Sequence, residues 1–215
     1  MISTLLWFPI CEAQLLLRQN YFDEQKQNIE SVFSISVNDS TLEGPYLAYY
    51  PNGNKKIEGF YHLNEADSLW TYFHKNNYEK SVGYFLNNKQ HGLWQYYDDS
   101  GIKQREVTFK NGLKSGIYID YFSEQKIKSS GELLNSKKVG LWKEYDQDGA
   151  LENTKLIQND TVVAYRYFYP NGNIKQQGTK TSNVRSGQWT HFFVNGQVSS
   201  SGFYKENTKD GTWIY

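Results

Sequence analysis

Residue types that carry out acid–base, metal or nucleophilic chemistry are few in this chain and lie scattered along it. The four histidines, His62, His74, His91 and His191, share no spacing typical of metal ligands or of a catalytic pair. The single cysteine, Cys11, has no second thiol with which to form an internal disulfide. The sequence therefore predicts no metal site and no cofactor.

Two neighbouring pairs of carboxylates, Asp98 with Asp99 and Glu144 with Asp146, are the remaining candidates for general acid–base catalysis. Such catalysis needs one acid held in a pocket that raises its pKa, and neither pair has an evident partner of that kind. Both pairs lie where predicted strands approach turns, a common place for acidic side chains. The sequence contains neither a phosphate-binding glycine loop nor a nucleophile elbow, so we predict that the protein is not an enzyme.

The glycines and aromatics, by contrast, follow a regular period. A glycine, any residue and a large aromatic recur along the chain, as in Gly92-Leu93-Trp94. The aromatic of this phrase, which we call the anchor, occurs as Tyr46, Trp70, Trp94, Tyr118, Trp142, Tyr165, Trp189 and Trp213. Successive anchors are 24 residues apart, except for 23 between Trp142 and Tyr165. A period of this length is typical of a repeat architecture.

Each repeat is predicted to contain two strands and two turns. A second aromatic comes three residues after each anchor, and a glycine, asparagine or glutamine comes seven residues after it, where we predict a turn with positive φ. The second aromatics are Tyr49, Phe73, Tyr97, Tyr121, Tyr145, Phe168 and Phe192. Short connections force antiparallel pairing. The predicted fold is all-β, an elongated single-layer antiparallel meander of roughly sixteen strands in tandem hairpin repeats.

One interval departs from the period. Between Trp142 and Tyr165 a residue is missing, and Val163 replaces the glycine of the phrase. We expect a shortened second turn and a local bulge there.

Side chains alternate between the faces of a strand, so the anchors are predicted on one face and the second aromatics on the other. Residues of the returning strands are expected between the rings, namely Phe60, Phe85, Phe109, Leu133, Ile157 and Tyr204. Aromatic rows on both faces would then replace a two-layer core. Further aromatics share the anchor face by parity and form a candidate binding strip of Tyr50, Tyr72, Tyr96, Phe122, Tyr167, Tyr169 and Phe193. They either shield the backbone of a thin sheet or receive a partner.

The amino-terminal part differs from the regular repeats. Residues 1–13 form a short apolar run that ends in a small residue and resembles a truncated signal peptide, which predicts export to the periplasm or cell surface. As an extra strand or a frayed terminus, the same run would leave the protein cytoplasmic. Residues 14–43 are interpreted as a degenerate capping repeat, and residues 44–215 as the repeat array.

The charge of the chain excludes some classes of partner. There are 23 basic and 23 acidic residues, so the formal net charge is zero. This balance provides no general attraction to nucleic acid or to an anionic membrane. We therefore expect neither as a partner.

The phrase Gly-x-Trp-x-x-Tyr-x-x-x-Gly, repeated in fixed register, resembles the MORN repeat (membrane occupation and recognition nexus). The sequence looks most like the bacterial, antitoxin-like variant of that repeat, from which Ser68, Gln125 and Val163 depart. The resemblance implies an elongated sheet that is used for protein interaction. The antitoxin-like label implies at most a toxin as the partner.

Two functions of different classes are consistent with these patterns. The first is a non-enzymatic scaffold that binds another protein through an extended, aromatic-rich sheet face. The alternative is a cell-surface module for carbohydrate or choline-type ligands, because aromatic rings stack on sugars and enclose cations. The edge of the last predicted strand also leads us to expect a weak edge-to-edge homodimer.

The turn assignment makes a direct prediction. Replacing Gly101 by valine should lower the melting temperature, because a β-branched residue resists the positive φ expected at this position. Thermal unfolding followed by circular dichroism measures the change. A valine variant that melts at the wild-type temperature would show that the turn is assigned wrongly.

Overall fold

The computed structural model describes residues 14–123, 125–181 and 184–215, which form one seventeen-stranded antiparallel β-sheet. The strands are β1(Leu15–Tyr21), β2(Ile29–Ser36), β3(Leu42–Tyr49), β4(Lys55–His62), β5(Glu65–Phe73), β6(Glu79–Leu86), β7(Lys89–Tyr97), β8(Lys103–Lys110), β9(Leu113–Tyr121), β10(Ile127–Leu134), β11(Lys137–Tyr145), β12(Leu151–Gln158), β13(Thr161–Phe168), β14(Ile174–Thr181), β15(Val184–Phe192), β16(Val198–Lys205) and β17(Thr208–Ile214). Each strand pairs with the next one in the sequence, and within these ranges no pairing joins β1 to β17. The predicted antiparallel meander is confirmed. The predicted signal segment, with Cys11, lies outside the described residues.

A hairpin of altered form comes before the first anchor. β1 pairs with β2 from Leu15 opposite Ser36 to Tyr21 opposite Ile29. Its turn is held by Asp23, whose carboxylate accepts the backbone N–H groups of residues 27 and 28 at 3.0 and 2.7 Å. The role of this hairpin as a cap of the array stays a prediction.

The turn within each repeat has five residues and a left-handed position near its end. The N–H of Tyr50 donates to the carbonyl of Asn54 at 2.8 Å, and the N–H of Gly53 donates to the carbonyl of Tyr50 at 2.9 Å. The φ of Gly53 is +83°, and the equivalent Asn77 and Gln125 have φ values of 73° and 62°. This pattern matches a type I turn followed by a glycine bulge. The predicted positive φ is therefore confirmed, also where the residue is not glycine.

The turn between repeats has two residues, both with positive φ. Asn87 and Asn88 have φ values of 50° and 61°, as in the type I′ turns whose twist matches that of the flanking strands. The side chain of Asn88 also reaches the preceding repeat, where its Oδ1 accepts the N–H of Ala66 at 2.6 Å. The backbone N–H of Asn88 donates to the carbonyl of Ala66 at 2.9 Å. Equivalent backbone bonds at Asn64, Gly112, Ser136 and Asn207 join most repeats to their neighbours.

The first glycine of the repeated phrase permits a bulge. Gln95 pairs with Val82 and His91 pairs with Tyr84, so residues 92–94 all lie opposite the single residue Gly83. Gly92 has a φ of +68°. Most residue types avoid this region, which explains a glycine at this point of the phrase. From the sequence we predicted positive φ for the turn glycines but not for the first glycine of the repeated phrase.

Each tryptophan anchor lies on a glycine of the preceding strand. A Cβ atom added to Gly83 would lie 2.3 Å from Cδ2 of Trp94, so only a glycine leaves room for the ring. The indole Nε1 of Trp94 donates to the carbonyl of Tyr84 at 3.0 Å. The same contact joins Trp70 to Gly59, Trp142 to Gly131, Trp189 to Gly178 and Trp213 to Gly202. Where the anchor is Tyr118, the residue opposite is Val107.

The 23-residue interval keeps its turn, contrary to our expectation. Asn159 and Asp160 have φ values of 48° and 61°, the same two-residue turn as elsewhere. The repeat is one residue shorter because its bulge is smaller. Ile157 pairs with Val162 and Leu156 pairs with residue 164, so the bulge contains only one extra residue. The expected local irregularity is present, but the predicted shortening of the turn was wrong. A valine at position 163 does not support the wider bulge that a glycine with positive φ permits.

The contact between indole and glycine predicts a specific rescue. Replacing Gly83 by valine should destabilise the sheet by about 2–3 kcal/mol, since the new side chain overlaps the indole of Trp94. Adding Trp94→Tyr should recover much of this loss. The double variant then has a valine opposite a tyrosine anchor, the combination that occurs naturally at Val107 and Tyr118. Urea unfolding of the two single variants and the double variant measures the coupling. Strictly additive losses would contradict the contact.

Candidate functional site

The anchor face contains the main packed core of this single sheet. Trp94 is 1% exposed although no second layer covers it. Its ring centroid lies 5.1 Å from that of Phe85 and 6.3 Å from that of Phe109, both edge to face. The rings of Tyr72 and Tyr96 lie 6.2 and 6.3 Å away. Four rings and the glycine beneath thus enclose the indole, and such aromatic pairs add to the effect of burial.

Anchors and rings of the returning strands alternate along the face. The ring of Tyr61 meets Tyr46 at 84° and Trp70 at 88°, with centroids 5.4 and 5.1 Å apart. Phe60, which we expected between these anchors, is instead 37% exposed on the other face. The other five predicted residues come fifteen positions after an anchor, whereas Phe60 comes fourteen after Tyr46. Side chains alternate faces, so this one-residue difference makes Tyr61 the packed ring.

The candidate binding strip separates into two rows. Tyr72 and Tyr96 contact tryptophan anchors, and Tyr167 is stacked on Tyr165 at 6.3 Å. The other four residues, Tyr50, Phe122, Tyr169 and Phe193, begin the five-residue turns at the sheet edge. There the hydroxyl groups of Tyr50 and Tyr169 donate to carbonyls of the next repeat. The structure therefore does not bring the seven residues into one continuous strip.

The second aromatics are half-buried on the opposite face and do not form a ladder. Among the described residues, no two of them are in ring contact. Polar residues lie between them, since Phe73 pairs with Glu79 and Tyr97 pairs with Lys103. The ammonium group of Lys103 lies 5.9 Å from the ring of Tyr121. Our expectation of aromatic rows on both faces was thus wrong for this face.

Cations lie over the later anchors. The charged group lies 5.3 Å from the ring centroid for Arg105 over Tyr118, 3.9 Å for Lys138 over Trp142, 5.0 Å for Lys180 over Tyr165, 4.8 Å for Arg185 over Trp189 and 4.3 Å for Lys209 over Trp213. Cations are attracted to the negative faces of aromatic rings. The first anchors, by contrast, are covered by other rings. The neutral chain therefore has an uneven anchor face, aromatic toward the amino terminus and basic toward the carboxyl terminus.

Carboxylates neutralise part of this basic half. Nε of Arg105 donates to Asp120 at 2.6 Å, and the hydroxyl of Tyr118 donates to Asp120 at 2.8 Å. Burial and this carboxylate raise the pKa of Tyr118 to about 12. Burial alone would raise the pKa of Glu144, but hydrogen bonds, first from Lys155, outweigh it and lower that pKa. The Glu144 carboxylate therefore stays charged near neutral pH.

Among the described residues, no ion pair of this kind occurs at the far end of the basic half. Lys180 and Arg185 are directly opposed on neighbouring strands, an arrangement in which like charges repel. Burial lowers the pKa of His191, and the charges of Arg185 and Lys209 lower it further. Nε2 of His191 is buried without a hydrogen-bond partner. This end thus concentrates positive charge beside an unsatisfied polar atom.

The opposite face carries exposed apolar side chains that sequence reasoning missed. Leu69, Leu93, Ile117 and Leu141, which we call the apolar stripe, occupy the middle of the repeated phrase and are 45–55% exposed. Tyr84, 53% exposed, pairs with Leu69 across the strands. The signal was present in the sequence as a leucine or isoleucine before four successive anchors.

Several of the residues considered for chemistry have structural partners. Asp98 and Asp146 accept backbone N–H groups within their turns. His62 contacts Glu43 at 3.0 Å, and His74 contacts a backbone carbonyl. Within the described ranges, no group of three or more histidine, cysteine or acidic residues could hold a metal. No helix in that part of the chain has the length and apolar character needed to cross a membrane.

Comparison with known families agrees with this geometry. Three segments, residues 42–62, 90–111 and 163–179, match the family described as MORN repeat variant. Each match covers a first strand, its five-residue turn and the returning strand. These segments are therefore similar to MORN-variant repeats. The other hairpins of the array place their anchors and turns in the same way.

Similarity to other known proteins is remote. No curated protein sequence matches the chain. A crystal structure of a Staphylococcus aureus TarM mutant with bound ligands is matched at 11% identity and a TM-score of 0.27, over 57% of this chain and 21% of that one. Crystal structures of TcdB2–TccC3 with and without Cdc42 give TM-scores of 0.26 and 0.24 at 11% and 12% identity. They cover 88% and 83% of this chain but 11% of theirs, and scores this low support no inference.

The enclosure of Trp94 predicts a graded loss of stability. Trp94→Ala should cost about 3–5 kcal/mol, as for a ring removed from a packed core. Trp213→Ala is the matched control, because the same indole–glycine contact there is partly exposed to solvent. Its loss should be clearly smaller in urea unfolding. Equal losses for the two variants would contradict the enclosure by neighbouring rings.

Proposed function

We propose that the protein is a non-enzymatic repeat scaffold that binds another protein on its extended sheet. The observation that carries this proposal is the exposed apolar stripe of the opposite face. Each stripe residue precedes an anchor and therefore points away from the packed rings. Several apolar side chains exposed along one face are typical of an interaction site.

The fold does not itself require apolar residues in the stripe. The same position of the phrase is Gln188 before Trp189 and Thr212 before Trp213. Both repeats keep the indole–glycine contact, so a polar residue is compatible with the hairpin. Leucine or isoleucine in four successive repeats therefore supports a contact outside the chain.

The stripe also has the extent of a recognition surface. From Leu69 in β5 to Leu141 in β11 there are six strand spacings, or about 29 Å. Tyr84 widens the stripe beside Leu69, and Leu156 pairs with Leu141 at its far end. The antitoxin-like resemblance would make the partner a toxin, and export would place the contact in the periplasm or at the cell surface.

The candidate binding strip of the anchor face has fewer rings free to contact a partner than the sequence led us to expect. Tyr72, Tyr96 and Tyr167 already use their rings against the anchors, as described above. The ring of Tyr167 is also covered by the ammonium group of Lys180 at 5.4 Å. Sugar stacking or choline binding needs open ring faces, so these contacts favour the protein scaffold over the carbohydrate or choline module.

Charge placed on the stripe should abolish partner binding. The double variant Leu93→Glu, Leu141→Glu replaces two half-exposed side chains, so stability should change by no more than about 1 kcal/mol. Gln188→Glu is the matched control, at the same position of the phrase but outside the stripe. Quantitative affinity purification from the native cell should recover a specific protein with the wild type and the control but not with the double variant. Recovery of the same proteins with all three chains would contradict the proposal.

A further inference from the structure

The basic half of the anchor face carries a row of cations with the period of the repeats. We call Lys138, Lys180, Arg185 and Lys209 the cation row; each lies over the ring of a successive anchor from Trp142 to Trp213. None of the four forms an ion pair with a carboxylate in the described part of the chain, unlike Arg105 and Lys155. The row thus presents positive charge in fixed positions, which Glu144 offsets in part at Lys138.

Holding these cations together is unfavourable without a bound anion. Lys180 and Arg185 extend from paired backbone positions, and their charged groups lie over Tyr165 and Trp189 on the same face, where like charges repel. Arg185 is further oriented by its own contacts, since it donates to Gln176 at 3.2 Å and lies over the rings of Trp189 and Tyr204. A side chain already held in place loses little conformational freedom on binding. These features suit a site for negative charge.

The spacing of the row indicates an extended ligand. The charged groups lie over anchors that belong to β11, β13, β15 and β17, so the rings beneath the row are two strands, or about 10 Å, apart. A polyproline II segment rises about 9 Å in three residues and then presents the same side again. An extended segment with a carboxylate at every third residue therefore matches the row along its length. A lone phosphate or carboxylate would use only one position.

We propose that the cation row binds an acidic, extended peptide segment of a partner protein, with carboxylates at every third residue lying over successive anchors. This inference rests on the proposed protein-binding function but uses the other face of the sheet. Nε2 of His191, buried and without a partner beside Arg185 and Lys209, would gain a charged neighbour on binding.

The test uses the full chain and three synthetic, fluorescently labelled peptides of about ten residues, the length that gives four glutamates at every third position. The first has glutamate at every third position, the second has the same composition with contiguous glutamates, and the third has glutamine for glutamate. Fluorescence anisotropy gives the affinities. The spaced peptide should bind most tightly, and added salt should weaken it.

Variants assign the binding to the row. Arg185→Met and Lys209→Met keep the apolar stems but lose the charges, and each should weaken the spaced peptide by about fivefold or more. Arg185→Lys should bind like the wild type. Lys175→Met is the matched control, because its ammonium group lies over the ring of Tyr169 at the turn edge, outside the row. The melting temperature of each variant verifies that it is folded. If every methionine variant that binds more weakly also has a lower melting temperature, the assignment to the row is overturned.

Further outcomes separate this inference from its alternatives. The spaced peptide should raise the pKa of His191 in an NMR titration, because its carboxylates offset the charges of Arg185 and Lys209. The double variant Leu93→Glu, Leu141→Glu should still bind the peptide, so failure of the apolar stripe would not remove this site. Equal affinity for spaced and contiguous peptides, or equal weakening by Lys175→Met, would overturn the proposal. Stronger binding to phosphatidylserine vesicles than to the peptide would assign the row to a membrane instead.

Discussion

The indole lying on a glycine of the neighbouring strand is the contact on which this sheet depends. It places a large ring flat against backbone, where any Cβ atom would overlap it, and lets the indole N–H bond the next carbonyl. Rings from adjacent strands then close around it, so that Trp94 and Trp189 are almost fully buried. A single layer normally cannot bury residues this well, because one face of each side chain meets water. Here the repetition of the contact supplies the missing neighbours.

The same contact gives the two faces different surface chemistry. Because every anchor points to one face, the residue before it must point to the other and is released from packing. That residue is apolar in the earlier repeats and polar in the last two. The anchor face also changes along the chain, because rings cover the first anchors and cations cover the later ones. One chain with no net charge thus presents an apolar surface and a basic surface, each built on the same period.

Much of the fold could be predicted because period and parity are properties of the sequence alone. The anchors, the turn glycines and the antiparallel meander follow from residue spacing. A glycine also occurs eleven residues before each tryptophan anchor in the sequence. That this glycine lies beneath the indole follows only from the register between the strands. Phe60 and Tyr61 show the same limit, since one position decides which ring is packed. The row of second aromatics failed to form because the polar residues between them lie on neighbouring strands. Exposure of Leu93 or Leu141 follows only once it is known that no second layer covers them.

The most direct test of this account is the NMR chemical shift of the glycine Hα protons. A proton beneath the face of an indole is shifted strongly upfield by the ring current. The Hα resonances of Gly83 and Gly178 should therefore be shifted upfield, and those of Gly53 and Gly172, which have no neighbour within 4 Å of an added Cβ, should not. Trp94→Leu, which removes the ring, should relieve the shift at Gly83 alone. Ordinary Hα shifts at Gly83 and Gly178 would contradict the indole–glycine contact and the core built on it.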